Sequence, residues 1–546
     1  MASIDVVLIL LLAVVLSGFV AKVLPLAVPL PLVQIAIGVL IAAVARLGVR
    51  LDPQVFFLLF LPPLLFYEGW RVPKEGLLRD KGTILALALG LVVFTVVGVG
   101  FFVHWLIPAM PLPVAFALAA IVSPTDPVAV SAIAARTPVP RRLMRILAGE
   151  SLLNDASGLV CMRFAVAAAL TGSFVLAEAV GSFLWEAAGG IAIGVAVTLS
   201  VAAAKDWVSR RYGEDTGLQI LISLLIPFGA YLLAEAGDCS GVLAAVAAGV
   251  AMSRVEQRDV VLAVTRVRRT AVWDTVQFGA SGIIFILLGE QLPEIAAGAA
   301  TVVREAGHLE YAWLALYVVA ITAAVALLRA LWVWTSFRFM FPRSAAAGER
   351  PFVPDWRLVA AMTLAGARGT LTLAGVLTLP LALADGSPFP ARDLAIFLAA
   401  GVIVASLLAA CLLLPFVLRG LRFPAEPSER ETEDAVRVAA AEAGLNAVAL
   451  AQHSLAKGHV DADLYADAGL RVMGRYRLRI DARGRKGAER DVARKIDDLE
   501  RTLVVVGCRA ERREIYRLAR VRRLPEELTR RLVREVDLLE ARAGGG

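Results

Sequence analysis

The sequence predicts an all-α polytopic membrane protein. About thirteen transmembrane helices form two inverted repeats, with helices 5 and 12 interrupted, and a mainly helical soluble C-terminal tail follows. Three observations lead there. Residues of the set AVILMFWYC make up 59% of the 546-residue chain and charged residues only 19%, against roughly a quarter charged in a soluble globular protein. Apolar stretches of the length a bilayer requires, about 20 residues, recur along the chain. Charge is crowded at one end: residues 421–546 hold 26 of the 55 Lys and Arg and 22 of the 48 Asp and Glu. The chain thus divides into a transmembrane domain, residues 1–420, and a cytoplasmic helical tail, residues 421–546.

The spans fall at roughly 5–21, 27–46, 54–70, 83–104, 112–135, 144–171, 184–204, 217–236, 240–254, 271–291, 311–338, 356–384 and 393–419. The first lacks a basic leader and an AxA-like cleavage site and is read as a retained span. The topology follows from the bias of Lys and Arg toward the cytoplasmic side. With the N-terminus outside and the tail inside, the inner loops carry Lys22; Arg71, Lys74, Arg79 and Lys81; Arg136, Arg141, Arg142 and Arg145; Lys205, Arg210 and Arg211; Arg254, Arg258, Arg266, Arg268 and Arg269; Arg338, Arg343, Arg350 and Arg357. The outer loops carry few, chiefly Arg46, Arg50, Arg304 and Arg392. The net charge of +7 is assigned to topology and to anionic lipid heads, with no nucleic-acid partner.

An odd span count lets spans 1–6 and 8–13 be inverted repeats, a common build in secondary transporters whose sites are made by broken helices at mid-membrane. Span 5 then pairs with span 12. Span 5 holds Ser123-Pro124-Thr125-Asp126-Pro127 and span 12 holds Gly366-Ala367-Arg368-Gly369-Thr370.

Charges deep in an apolar span cost roughly 2.5–3.5 kcal/mol on insertion scales, so each needs a reason. Two prolines around Thr125 and Asp126 remove backbone donors and free carbonyls for a cation; the alternative is a capped kink. In Gly149-Glu150-Ser151-Leu152-Leu153-Asn154-Asp155, the four polar residues lie at i, i+1, i+4 and i+5, on one helical face. Two carboxylates, a hydroxyl and an amide on one face make a hard-oxygen site for sodium or a proton. Arg329 sits inside Ala323–Trp332 and needs an anion, for which Glu150 is the candidate; otherwise it snorkels. Arg368, in the break of span 12, is placed to balance the negative ends of broken helices. Glu68 stands at the end of span 3, as a ligand or as an interfacial carboxylate.

Other chemistries lack support. Cys161, Cys239, Cys411 and Cys508 are far apart and form no CxxC. There is no GxxxxGK[ST] and no HExxH, and none of the four histidines falls in a polar cluster. No GxSG-like or GxGD-like motif supports an intramembrane hydrolase. The chain reads as no enzyme, and it calls for no cofactor.

These same residues resemble the sodium/proton exchangers of the cation:proton antiporter-1 family, in its prokaryotic NhaP-like, long-tailed form. The matching stretches are Phe60–Phe66, Ser123–Val130, Gly149–Asp155, Leu328-Arg329 and Gly366–Gly369, in family order across the membrane domain; Arg513–Arg542 is similar to the tails of longer members. The resemblance implies a homodimer in the cell membrane, each protomer with a dimerisation domain and a mobile core. It implies Asp155 as the ion and proton carrier, Asn154 steadying it, Ser151 and the Thr125 backbone helping to hold Na+, Asp126 acting through water or hydrogen bonds, and Glu150–Arg329 as a structural pair. The Asn-Asp pair resembles the electroneutral branch. One departure stands out. Many members place an acid directly after the position of Phe66, where this chain has Tyr67; the acid follows at Glu68, a rotation of about 100° on a helix.

The expected function is exchange of Na+ or Li+ for H+ by alternating access, with the two competing at Asp155, in the service of pH homeostasis. A K+/H+ exchanger is the alternative and a cation channel a more remote one. In the tail, Val521, Leu524, Leu528, Leu532, Val536 and Leu539 recur at helical steps and suit an amphipathic or paired helix that starts near Pro525. The Arg-dense 471–490 stretch suits anionic lipid or a plain solvated surface. A regulatory role for the tail rests on the resemblance.

Overall fold

A computed structural model describes residues 2–24, 28–45, 53–72, 81–126, 141–171, 176–256, 263–305, 312–340, 356–383, 386–419, 429–456, 462–484, 488–522 and 526–544. These residues form helices throughout, with one isolated bridge, Ala382 to Pro388, and no strand among them. The chain divides into two compact units, Met1–Arg422 and Phe423–Gly546.

The first unit contains α1 (Ala2–Val23), α2 (Leu30–Ala45) and α3 (Pro53–Arg71). Next comes α4, built from Lys81–Leu85, a π-helical turn Ala86–Gly90 and Leu91–Leu106. Then follow α5 (Leu112–Val122), α6 (Arg141–Thr171), α7 (Leu176–Tyr212), α8 (Thr216–Ala236), α9 (Gly241–Val255), α10 (Ala263–Glu305) and α11 (Ala312–Met340). The unit closes with α12a (Trp356–Leu364), α12b (Thr370–Leu377) and α13 (Arg392–Leu418). Every predicted span thus carries a described helix. Eight are long and apolar enough, by length and composition, to cross a membrane; α2, α5 and α9 are apolar but shorter. Span 12 is broken between α12a and α12b. Span 5 ends as a helix at Val122, and its continuation from Pro127 lies outside the described residues, as do Arg46, Arg50, Lys74, Arg79, Arg136, Arg258, Arg343 and Arg350.

The described basic residues read from the sequence as inner-loop charges lie instead within helices, most of them near helix ends, and two of these side chains are largely covered. Lys205 belongs to α7 and Arg269 to α10; the Lys205 side chain is 7% exposed and Arg269 is 1% exposed. Both helices run beyond the apolar stretches that predicted them, α7 over Leu176–Tyr212 against 184–204 and α10 over Ala263–Glu305 against 271–291. Arg269 is held by an ion pair to Glu256 and lies over the Trp70 ring, 5.6 Å from its centroid. A helix continues past its apolar core wherever neighbouring side chains satisfy the charges it carries, which hydropathy does not register.

Packing sorts the helices into two groups. In one, α2 lies along α10, α3 along α9, and α7 along α8 and α9. In the other, α5 packs between α4 and α6, and α11 packs on α4; α13 packs on both α11 and α10 and so links the two. Close approach depends on small residues, as membrane helix contacts generally do. A Cβ on Gly38 would collide with the backbone of α10 at Ile286 and Gly289, and one on Gly249 would collide with the Phe66 carbonyl of α3. The π-turn of α4 has identifiable partners: Ser157 Oγ donates to the Ala88 carbonyl at 2.7 Å and Trp332 Nε1 to the Ala86 carbonyl at 3.1 Å. Side-chain donors that engage helix carbonyls in this way are a known cause of such bulges.

The second unit pairs α14 (Glu429–Ala456) with α15 (Ala462–Gly484), and α16 (Ala488–Arg522) with α17 (Glu526–Gly544). Cys508, Val533 and Val536 are buried in the latter pair, and Arg512 bridges to Asp537 at 2.6 Å and to Glu540. The predicted stripe is therefore split: Val536 is buried, Val521, Leu528 and Leu539 are exposed, and Leu524 and Pro525 lie outside the described residues.

Candidate functional site

The site begins where two helices stop. α5 ends at Val122, and Ser123, Pro124, Thr125 and Asp126 continue without helical bonding because Pro124 brings no N–H and disfavours helix in the residue before it. α12a ends at Leu364, and the glycine-flanked Ala365–Gly369 stretch runs non-helical to α12b. The two breaks meet. The Asp126 backbone N–H donates to the Ala367 carbonyl at 2.7 Å. Arg368 Nε donates to the Val122 carbonyl at 2.9 Å, and Nη1 to the Gly366 carbonyl at 2.5 Å. Arg368 is thus a buried cation set on carbonyls that broken helices leave open, the charge a helix C-terminus favours. Its backbone N–H donates to Ser406 Oγ of α13 at 3.1 Å. Gly369 is required by space: a Cβ there would occupy the position of the Asp126 carboxylate.

Against this crossing lies α6. Glu150, Ser151, Asn154 and Asp155 are all buried, at 0%, 3%, 1% and 3% exposure. Glu150 is fully occupied. Arg329 of α11 grips it with both terminal nitrogens, Nη1 on Oε1 and Nη2 on Oε2, the latter at 2.9 Å. Arg329 Nε donates to the Met362 carbonyl of α12a at 3.0 Å. Thr125 Oγ1 donates to Glu150 Oε1 at 3.2 Å, and Asn154 Nδ2 donates to Thr125 Oγ1 at 3.0 Å. One chain of polar contacts therefore joins Asn154, Thr125, Glu150 and Arg329, tying α6, the α5 break, α11 and α12a.

Asp155 differs. Its carboxylate makes no hydrogen bond or ion pair among the described residues, and Glu68, Asp126 and Glu150 are its acidic neighbours. Among the described residues, three buried oxygens of these segments also have no partner: Glu68 Oε2, Ser123 Oγ and Asn154 Oδ1. Ser151 lies one turn before Asp155 on α6. The groups gathered here are oxygens, the donors hard monovalent cations and protons take.

Glu68 enters from α3, in the other helix group, and interacts with Asp126 and Asp155. Its neighbour Tyr67 explains the one-residue departure noted in the sequence. The Tyr67 ring stacks on Trp273 of α10 with centroids 5.6 Å apart and planes 5° from parallel, and its hydroxyl donates to Asp274. Trp273 Nε1 is satisfied by Ser223 Oγ of α8 at 3.2 Å, and Trp70 Nε1 by Glu256 at 2.6 Å. An aromatic ladder thus sets the rotation of α3, and the next residue turns toward the acids.

Sequence reasoning brought together Asp155, Asn154, Ser151, Thr125, Asp126, Glu150, Arg329 and Arg368, and the structure gathers them with Glu68 at the crossing. It passed over Ser123, Ser157 and Ser406. A hydroxyl in an apolar span was their one signal, and it is weak because such a hydroxyl can bond its own helix.

The chain matches the family model "Sodium/hydrogen exchanger, transmembrane" over residues 7–420. It is 40% identical over 546 residues, 98% of each chain, to the uncharacterized Na(+)/H(+) exchanger YjcE of Escherichia coli (strain K12). It is 42% identical over 413 residues to the sodium, potassium, lithium and rubidium/H(+) antiporter of Bacillus pumilus (strain SAFR-032), covering 75% of this chain and 60% of that one. The fold is similar to the sodium proton antiporter MjNhaP1 of Methanocaldococcus jannaschii, with a TM-score of 0.59 at 19% identity, covering 77% of this chain and 99% of that one. A match across the whole membrane unit, together with a relative this similar over the full length, places the protein among integral membrane transporters: the chain belongs to the sodium/hydrogen exchanger family.

Proposed function

We propose that this protein exchanges Na+ or Li+ for H+ across the cell membrane, one for one, by competition at Asp155. The observation that carries the reading is the contrast on α6: Glu150 is held by Arg329 and Thr125, whereas Asp155 is buried without a hydrogen-bond or ion-pair partner among the described residues. A buried carboxylate must be neutralised. Either a proton or a cation does this, and when each excludes the other the two flows are coupled through one charge. Asp155, Ser151 and Thr125 hold the cation, Asn154 fixes Thr125, and Asp126 and Glu68 complete the oxygen surround. No other cofactor is required.

Glu68 belongs to the α3 group and the other ligands to the α5–α6 group, so a shift of one group against the other opens the site to one side at a time. This arrangement supports alternating access. We place the N-terminus outside and the tail in the cytoplasm, from the distribution of Lys and Arg, and assign the assembly as a homodimer.

A second reading, K+/H+ exchange, is favoured by one observation: the Bacillus pumilus relative is named for sodium, potassium, lithium and rubidium. The test is purified protein in liposomes with an imposed pH gradient and a pH-reporting dye. Collapse with sodium and lithium alone supports the first reading, and collapse with potassium the second. Cation flux without proton movement would show a channel and sink both.

A further inference from the structure

We propose that residues 492–506 of α16 are a self-association seam, pairing with the same stretch of a second copy of this chain as a parallel two-stranded coiled coil. Val492, Ile496, Leu499, Leu503 and Val506 follow steps of four, three, four and three. That is the heptad spacing of a coiled-coil interface, with Ile496 and Leu503 at a and the other three at d. All five are between 49% and 68% exposed.

The seam is not left over from the hairpin. α17 covers the other side of α16, where Cys508 is buried and Arg512 bridges to Asp537 and Glu540. Val505 and Cys508 follow Leu503 and Val506 by two residues, about 200° round the helix. α16 therefore carries two apolar faces, and its partner within the unit takes only one.

Charge selects the occupant. In a parallel pair, a g residue of one helix faces the e residue five positions on in the other. Here g is Lys495 and e is Glu500, both exposed, so the two symmetric contacts are both attractive. Ile496 at a followed by Leu499 at d is the order that favours two strands, Leu503 at a followed by Val506 at d is not, and the symmetric Lys495–Glu500 contact decides for the pair. A lipid surface fits less well. From Glu489 to Val506 the helix carries five acids and four bases, whereas helices that lie on anionic membranes are rich in Lys and Arg.

The test uses the full-length chain, oxidised in detergent solution and read on a denaturing gel. Leu499→Cys and Leu503→Cys should each give covalent dimer as the major species, severalfold above the native chain, and Arg501→Cys should stay at the native background. Within the Leu499→Cys chain, Lys495→Glu or Glu500→Lys should lower the yield severalfold, and the two together should restore it. Background yield from both seam cysteines would overturn the proposal, as would equal yield from Arg501→Cys. A dimeric mass in detergent with no seam cross-link would place the contact elsewhere, rejecting the seam while leaving the homodimer of the proposed function intact.

Discussion

Glu150 and Asp155 lie five residues apart on one helix, carry the same group and are equally buried, yet their surroundings are opposite. Glu150 meets a bidentate arginine and a threonine hydroxyl. Asp155 meets other acids and unpartnered oxygens. The difference teaches how one helix can present one carboxylate fixed by its neighbours and another that is not. A carboxylate whose lone pairs are taken by fixed donors cannot exchange ligands without dismantling its neighbours. One left open must take its counter-charge from solution.

The largest expected effect comes from removing the open carboxylate. Asp155→Asn should reduce cation-dependent proton flux in liposomes to that of protein-free vesicles, with thermal stability close to the native chain, because no fixed contact is lost. Retained coupled flux would end the claim that Asp155 is the carrier.

The saturated carboxylate should behave in reverse. Glu150→Ala strands Arg329 as an uncompensated buried charge and should destabilise the protein by about 3–5 kcal/mol, read as a lower melting temperature in detergent. Replacing both partners, Glu150→Leu with Arg329→Met, should recover much of that loss, since an apolar pair of similar volume is often neutral. A Glu150→Ala protein that melts like the native chain would remove the contrast.

Gly369→Ala probes the crossing more gently. The added methyl would collide with the Asp126 carboxylate and Cβ, so the crossing must shift: the cation concentration for half-maximal flux should rise and the melting temperature should fall. An unchanged half-maximal concentration would show that Asp126 does not contribute to cation binding.

Tyr67→Phe should be smaller again. It removes the hydroxyl that bonds Asp274 but keeps the stack on Trp273, and should cost about 1 kcal/mol because the half-exposed Asp274 regains water. A loss of flux without that stability change would show that the ladder orients Glu68.

The smallest effect lies in the tail. The Arg512 hydrogen bond holds the Glu540 carboxyl below its usual range. A lowered folded-state pKa stabilises the folded form above the ordinary carboxylate value and loses that contribution as pH falls through the lowered one. Hydrogen exchange in α17, corrected for intrinsic rate, should rise modestly on acidification below about pH 4, and Arg512→Ala should erase the step.

The residues of the site were largely legible in the chain because a polar residue in an apolar span carries a cost, and cost makes it visible. Glu150, Asn154, Asp155, Arg329 and Arg368 all announce themselves this way. The thirteen stretches and the two interruptions were legible for the same reason, since bilayer length and prolines are written locally. The extent of α7 and α10 was not, because Lys205 and Arg269 look like loop charges until their neighbours are known.

What no local pattern could decide was which carboxylate would be paired. Glu150 and Asp155 share a helix face, and either could have met Arg329; the packing of α11 against α12a and α4 brings the arginine to the first and keeps it from the second. The same holds for Glu68, whose direction depends on Tyr67 finding Trp273 and Asp274 more than 200 residues away. Composition and periodicity specify which groups must be buried, because burial is a property of each segment against its solvent. Which buried group meets which depends on the relative rotation and height of several helices, and those are set by shape and backbone contact among elements far apart in the chain.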